Sequence, residues 1–308
     1  MDRKAIVVIG SSNTDMSVHL ARIPRVGETV LGGAFLSAAG GKGANQAVAA
    51  ARAGGKVAFI ARVGGDALGG QAIAGLRREG IDVRCVFRDP RAPSGVALIF
   101  VARDGENSIA VASGANARLV PADLKKAAKI IRSAAVVVAQ LESPLPTIRA
   151  AARMAAAAGV PFILNPAPAQ ALPDALLRQV SILTPNETEA ELLTGITVDD
   201  EAAAARAAAQ LRDRGVGTVI ITLGRQGAFL AGAGTARLIP GFRVKAVDAT
   251  AAGDTFNGAL AVALAEALDF PAAVRFANAA AALSVTRLGA QPSAPARRAI
   301  VRMLRRNK

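Results

Sequence analysis

The chain begins with a short apolar run, Lys4-Ala-Ile-Val-Val-Ile, that ends at Gly10 and reads as a buried first strand. Asp15 to Leu20 and Glu28 to Ser37 read as strand pieces separated by the turn signal IPRVGE. Gly43 to Ala53 reads as a helix, Val57 to Ala61 as a strand and Ala67 to Glu79 as a second helix. Another β pair follows, Gly95 to Ala102 and Ser108 to Ala112, joined by the turn Arg103-Asp-Gly-Glu-Asn. The order then becomes regular, with helix 122–133, strand 136–140, helix 146–158 and strand 161–164. Strand 181–183, helices 187–194 and 202–214 and strand 218–222 continue it. Two β segments near 228–231 and 237–239 precede helices that start about Gly253, Ala272 and Ala296.

Alternating strand and helix predicts an α/β fold whose mainly parallel sheet is covered on both faces. The two early β pairs interrupt that alternation and do not fit within such a sheet. They are expected to form a small second sheet that projects as a lid. The chain thus reads as one α/β domain over 1–308, with a discontinuous lid from about 15–20, 28–38, 95–102 and 107–112. No internal repeat and no low-complexity linker divides it.

Composition supports a globular chain: 52% of the 308 residues are apolar, many of them alanine. No apolar run approaches a membrane span, and the run after Met1-Asp2-Arg3-Lys4 is too short for a signal-peptide core. The single Cys85 excludes an internal disulfide and fits a reducing cytoplasm. A net charge of +14 raises the question of nucleic acid. The basic residues are scattered, however, and their densest cluster, Arg297 to Lys308, reads as a solvated final helix. With ten Phe and no Trp or Tyr, stacking platforms for single strands are also few. Neither a membrane nor a nucleic acid is expected as a partner. His19 is the only histidine and occupies a strand position, so a His/Cys metal cluster cannot be built. Any catalysis must use carboxylates, lysine, backbone dipoles or bound ions.

Five segments fall where an open α/β sheet gathers ligands, at the carboxyl ends of strands. GGKGANQA, Gly40 to Ala47, lacks the glycine and hydroxyl of a P-loop. Gln46 stands where a dinucleotide fingerprint needs its third glycine. What remains is a glycine turn into a helix, with Lys42 and Asn45 able to approach a small polar ligand. Asn13 and Asp15 alternate after the first strand, so in an extended segment both project from one face and suit vicinal hydroxyls. An Asx turn explains that pair equally well. Asn186 and Glu189 have the spacing of a capping box at a helix start that faces the crevice. Thr222 to Gly227 is a glycine turn or a backbone cradle for a nucleotide. In VDATAAGDTF, Val247 to Phe256, tiny residues precede a helix start, where exposed N–H groups bind phosphate. Asp254 there is a favourable first-turn charge, or a base beside an anion hole.

Together these segments resemble the ribokinase family of carbohydrate kinases over essentially the whole chain. The resemblance rests on NTD at 13–15, GGKGANQAVAAARAG at 40–54, SGVALIFV at 94–101 and QLESP at 140–144. It continues with LNPAPA at 164–169, TPNETEAELLTG at 184–195, ITLGRQGAF at 221–229, VDATAAGDTFNGAL at 247–260 and VTRLGAQPSAP at 285–295. It implies a three-layer αβα sandwich with a mainly parallel sheet and a β lid that also clasps a second copy as a homodimer. It implies a sugar site at Asn13, Asp15, Gly41, Lys42, Gly43, Asn45 and Glu142. Thr222, Gly224, Gly227 and Asn278 would lie along ATP, with Asn186 and Glu189 near the phosphates and Mg²⁺. Asp254 would be the general base, and Ala252 and Gly253 would give N–H groups to the anion hole. A monovalent cation, K⁺, would take Asp248, Thr250, Ser284, Arg287, Gly289 and Ser293, mostly through carbonyls. Ala251 departs from the Gly-Ala-Gly-Asp of many members. The implied reaction is phosphorylation of D-ribose at O5. Alternatives are 2-deoxyribose, a nucleoside, or a sugar-binding regulator without catalysis.

Overall fold

Four consecutive apolar residues, Ile6 to Ile9, have no polar face to turn to water, and they lie within the large sheet. In the computed structural model, which describes residues 4–104, 106–232 and 234–307, β1 (Ile6–Ile9) pairs in parallel with two strands. These are β4 (Val57–Gly64) on one side and β8 (Val136–Ala139) on the other. Beyond β8 lie β9 (Phe162–Leu164), β10 (Ile182–Leu183), β11 (Thr218–Thr222), β12 (Gly227–Gly232) and β13 (Thr235–Pro240). The opposite edge is β5 (Asp82–Asp89), and only β11–β12 and β12–β13 run antiparallel.

Successive side chains of a strand point to opposite faces, so each strand feeds two cores. Val7 and Ile9 pack with Leu124, Ile131, Ile148, Ala190 and Leu211. Those residues come from α3 (Pro121–Lys126), α4 (Ala128–Arg132), α5 (Leu145–Ala157), α7 (Glu187–Thr194) and α8 (Glu201–Asp213). Ile6 and Val8 pack on the other side with α1 (Lys42–Arg52), α2 (Ala67–Arg78), α9 (Ala252–Ala265), α10 (Phe270–Ser284) and α11 (Arg297–Arg306). The expected three-layer αβα arrangement is therefore present. Among the described residues no helix is long and apolar enough to cross a membrane. In α11 only Ile300 is fully buried, and Arg298, Arg302, Arg305 and Arg306 face solvent.

A second sheet of four strands has the order β3–β2–β6–β7. Its members are β2 (Asn13–Leu20), β3 (Ala34–Gly40), β6 (Gly95–Ala102) and β7 (Asn107–Ala112). The central β2–β6 pair is parallel and the outer pairs are antiparallel. The strand expected over 28–38 is corrected: residues 28–33 are not strand. Gly32 and Gly33 hold φ of 92° and 109°, left-handed values that interrupt an extended chain before Ala34. The helix expected over 122–133 breaks at Ala127, whose φ and ψ are −93° and 6°. The edge strand β5 and the short α6 (Asp174–Leu177) have no counterpart in the sequence reading. Only two of the eight residues of β5 are fully buried, and its exposed arginines Arg84 and Arg88 obscure the apolar pattern. Cys85 lies on it as a free, half-buried thiol. His19 is exposed on β2. Of the turn expected at 103–107, Gly105 lies outside the described residues, as do Met1 to Arg3 and Lys308.

Candidate active site

The small sheet roots beside the carboxyl end of β1, and its root is polar. Asn116 is buried and imitates a strand partner there: its Oδ1 accepts from Ser12 N at 2.9 Å and its Nδ2 donates to Ser12 O at 3.2 Å. The same Nδ2 donates to Asn13 Oδ1 at 2.7 Å, which leaves the Asn13 NH₂ to face outward as a donor. Gly95 makes this contact fit, since a Cβ there would lie 2.2 Å from both amides. Two residues on, Asp15 packs against Gly40, where a Cβ would meet its carboxylate at 2.1 Å. Burial first, then the charges of Glu142 and Asp254, push the Asp15 carboxyl up to about 6. Glu142, after β8, accepts from Ser11 Oγ and from the Lys42 backbone N–H at 3.0 Å. Gly41, at φ 87°, and Gly43 let α1 start against Ser11 and Ser12 without steric conflict.

From α1, Asn45 Nδ2 donates to Asp254 Oδ2 at 3.0 Å. The Asn45 Oδ1 stays buried without a partner, an acceptor suited to a ligand hydroxyl. Asp254 lies in the first turn of α9 and is buried. Burial pushes its carboxyl above the ordinary value, against the pull of Lys42 and of the Asn45 and Gln46 amides. Gly253 beside it is exposed, with open space where a Cβ would stand. The helix N-terminus is thus open to a cleft of about 180 Å³ that Lys42, Asn186, Glu189 and Asp254 also line. The Ala252 N–H donates to Ala249 O at 3.2 Å. Ala251 is the cause, because its left-handed φ of 57° closes a tight turn there.

Across the cleft, Asn186 and Glu189 form the capping box read from the sequence. Glu189 N donates to Asn186 Oδ1 at 2.7 Å and Asn186 N to Glu189 Oε2 at 3.0 Å. Burial raises the Glu189 carboxyl, although the Asn186 N–H and Lys42 pull the other way. Thr222 adjoins this cap through an Asn186–Thr222 bridge. Gly224 is exposed. Gly227 is buried at φ 113°, where a Cβ would lie 2.2 Å from Ile239 O, so local geometry alone requires glycine. Asn278 donates from Nδ2 to Ile239 O and Pro240 O, fastening α10 to the end of β13.

Asp248 joins two segments of the expected cation site: Oδ1 accepts from Thr250 N and Oδ2 from Gly289 N, both at 2.8 Å. Partial burial opposes these bonds, yet they hold its carboxyl below the usual range. Ser284 and Ser293 are buried, with hydroxyls donating to Ala281 O and Ala290 O. The Arg287 side chain is exposed. The set offers oxygen donors only, which suits a hard cation such as K⁺. Among the described residues no three His, Cys, Asp or Glu gather as a metal cluster. Mg²⁺ would therefore rely on nucleotide phosphates for part of its shell.

Among the buried polar residues to which the sequence reading gave no role are Gln46, Gln140, Asn165, Thr184 and Asn257. Thr184 Oγ1 donates to Asn257 Oδ1 at 2.6 Å, and Asn257 Nδ2 to Gly253 O at 2.8 Å, steadying the helix start. Except for the Asn257–Gly253 bond within α9, the partners named for these residues lie well apart in sequence, so local spacing does not reveal them.

Residues 3–297 match the pfkB family carbohydrate kinase profile. A ribokinase of Haemophilus influenzae is 47% identical over 98% of this chain and 99% of its own. A deoxyribokinase of Salmonella typhi is 40% identical over 94% of this chain and 95% of its own. The structure of Arabidopsis thaliana ribokinase complexed with ribose and ATP superposes with a TM-score of 0.93 at 35% identity, covering 98% of both chains. Similarity of this extent, carried by fold and sequence alike, makes the chain a member of the pfkB family of carbohydrate kinases.

Proposed function

We propose that this protein phosphorylates D-ribose at O5 with ATP. The observation that carries the reading is a buried Asp254 at an open helix N-terminus, hydrogen-bonded to the same helix, α1, that borders the polar root of the small sheet. Likeness over nearly the full length to ribokinases, one of them complexed with ribose and ATP, supports the substrates.

In this reading Asn13, Asp15, Gly41, Lys42, Gly43, Asn45 and Glu142 hold the sugar by hydrogen bonds, a mode that needs no aromatic ring. Asp254 takes the proton from the primary hydroxyl as its oxygen bonds to the γ-phosphorus and the bond to the ADP oxygen breaks. Lys42 and the N–H groups at the start of α9 offset charge on the transferring group. Thr222, Gly224, Gly227 and Asn278 flank the nucleotide, and Asn186 and Glu189 the phosphates. Mg²⁺ would neutralise charge on the β- and γ-phosphates, and K⁺ at the Asp248 site would lend positive charge behind the anion hole. The small sheet is the lid of a single domain and excludes water when closed. It also supplies the contact of a homodimer. We place the protein in the cytoplasm, where a free Cys85 stays reduced.

The test is a kinase assay over ribose, 2-deoxyribose and nucleosides, with and without K⁺, alongside Asp254→Asn. The variant should lose turnover by about 10²- to 10⁴-fold while ribose affinity changes little. An undiminished rate would remove Asp254 from the role of base. The deoxyribokinase relative supports a second reading, and a tenfold preference in kcat/KM for 2-deoxyribose would establish it.

A further inference from the structure

Gln46 is completely buried, yet every polar atom of its amide is directed. Its Nε2 donates to Asp254 Oδ1 at 3.0 Å and to Asn165 Oδ1 at 3.1 Å. Its Oε1 accepts from Gln140 Nε2 at 2.6 Å. Asn165 in turn donates from Nδ2 to Thr184 O at 3.1 Å, so its Oδ1 can only be the acceptor toward Gln46.

An amide has nearly the same shape either way round, and a turned Gln46 would aim an oxygen at the Asp254 carboxylate. The donors and acceptors around it forbid that turn. Asn165, fixed by its bond to Thr184 O, needs a donor, and the orientation of Gln46 that supplies one leaves Oε1 to accept from Gln140, whose own Oε1 has no partner. Gln140 reaches this place because Gly10 is bare: a Cβ there would stand 2.1 Å from Gln140 Oε1. Asn45 already grips Asp254 Oδ2, so with Gln46 on Oδ1 the carboxylate is held at both oxygens and cannot rotate.

We propose that Gln46, itself oriented by Asn165 and bonded by Gln140, is a positioning residue that fixes the Asp254 carboxylate for proton acceptance. The inference rests on the assignment of Asp254 as base. Other charged groups bear on the same carboxylate: Lys42 from α1, Glu142 from the segment after β8, Glu189 from α7 and Asp15 from β2. None of them occupies Oδ1. A donor on a carboxylate favours its charged form, so losing Gln46 makes Asp254 easier to protonate and moves the acid limb of the rate profile to higher pH.

The experiment measures kcat/KM against pH for Gln46→Leu, Gln140→Leu and Asp254→Asn, with ribose affinity by calorimetry and thermal melting as a fold check. Gln46→Leu should lower kcat by about 10- to 100-fold, keep ribose Kd within about threefold, and move the acid limb up by about one pH unit. Gln140→Leu should shift the limb in the same direction by less. Should Gln46→Leu fail to fold, Gln140→Leu decides alone. An unmoved acid limb with kcat within about twofold, or an equal loss of kcat and ribose affinity, overturns the inference. An inactive Asp254→Asn beside unaffected glutamine variants refutes only the positioning role. An active Asp254→Asn refutes the base assignment beneath it.

Discussion

Asp15 is held in a site that disfavours its charge, half-buried against Gly40 with Glu142 and Asp254 nearby. Its folded pKa of about 6 exceeds the ordinary 3.8, so the folded protein binds this proton more tightly than the unfolded chain. Stability from this group is therefore present below 3.8 and lost as pH rises through about 6. Asp15→Asn should raise the unfolding free energy at pH 8 by about 1–3 kcal/mol and leave it unchanged near pH 3. Urea melts at the two pH values check this. The same variant should bind ribose more weakly, and the parent's KM for ribose should rise as pH falls below 6. Equal stability gains at both pH values would show that the Asp15 charge is not the cause. The shared face of Asp15 and Asn13 on β2 was legible in the sequence, because alternation alone places them together. Gln46 was not legible, because its carboxylate partner lies 208 residues away.

The elements bring those distant residues together through one close crossing. Gly258, one turn after Asp254, lies under α1, where a Cβ would stand 2.6 Å from Gln46 O and 2.8 Å from Ala50 N. Backbone atoms cannot step aside, so Gly258→Ala must push α9 away from α1. It should cost about 1–3 kcal/mol of stability and, by lengthening the Asn45 and Gln46 bonds to Asp254, lower kcat more than it raises KM. Denaturant melts and steady-state kinetics test both; normal kcat with normal stability would mean that the crossing tolerates a methyl group. The sequence displays helices and buried strands well where apolar periodicity is unbroken, and α7 and β11 begin and end where they were read. It hides β5, an edge strand with arginines among its apolar residues, and the break in the 122–133 helix, which no glycine or proline announces.

At the scale of the whole molecule the small sheet is too apolar for a surface. Leu36 and Val111 share the face of Asp15 and are 57% and 52% exposed, while Phe35, Leu98 and Phe100 line the other face. Such rows fit the contact proposed for a homodimer. Light scattering at micromolar concentration should give twice the chain mass of 31.1 kDa, and Leu36→Glu with Val111→Glu should give the monomer. A parent protein at monomer mass would count against the dimer. The order of the small sheet also bears on how the chain comes into being. Its central pair joins β2 to β6 with Asn13 opposite Gly95, so β2 must leave the ribosome about 80 residues before the strand it lies beside. Residues 57–89, which carry β4, α2 and β5, are made in that interval. The sheet proposed as the lid is thus begun early and completed late, and its first hairpin has only itself to pair with meanwhile.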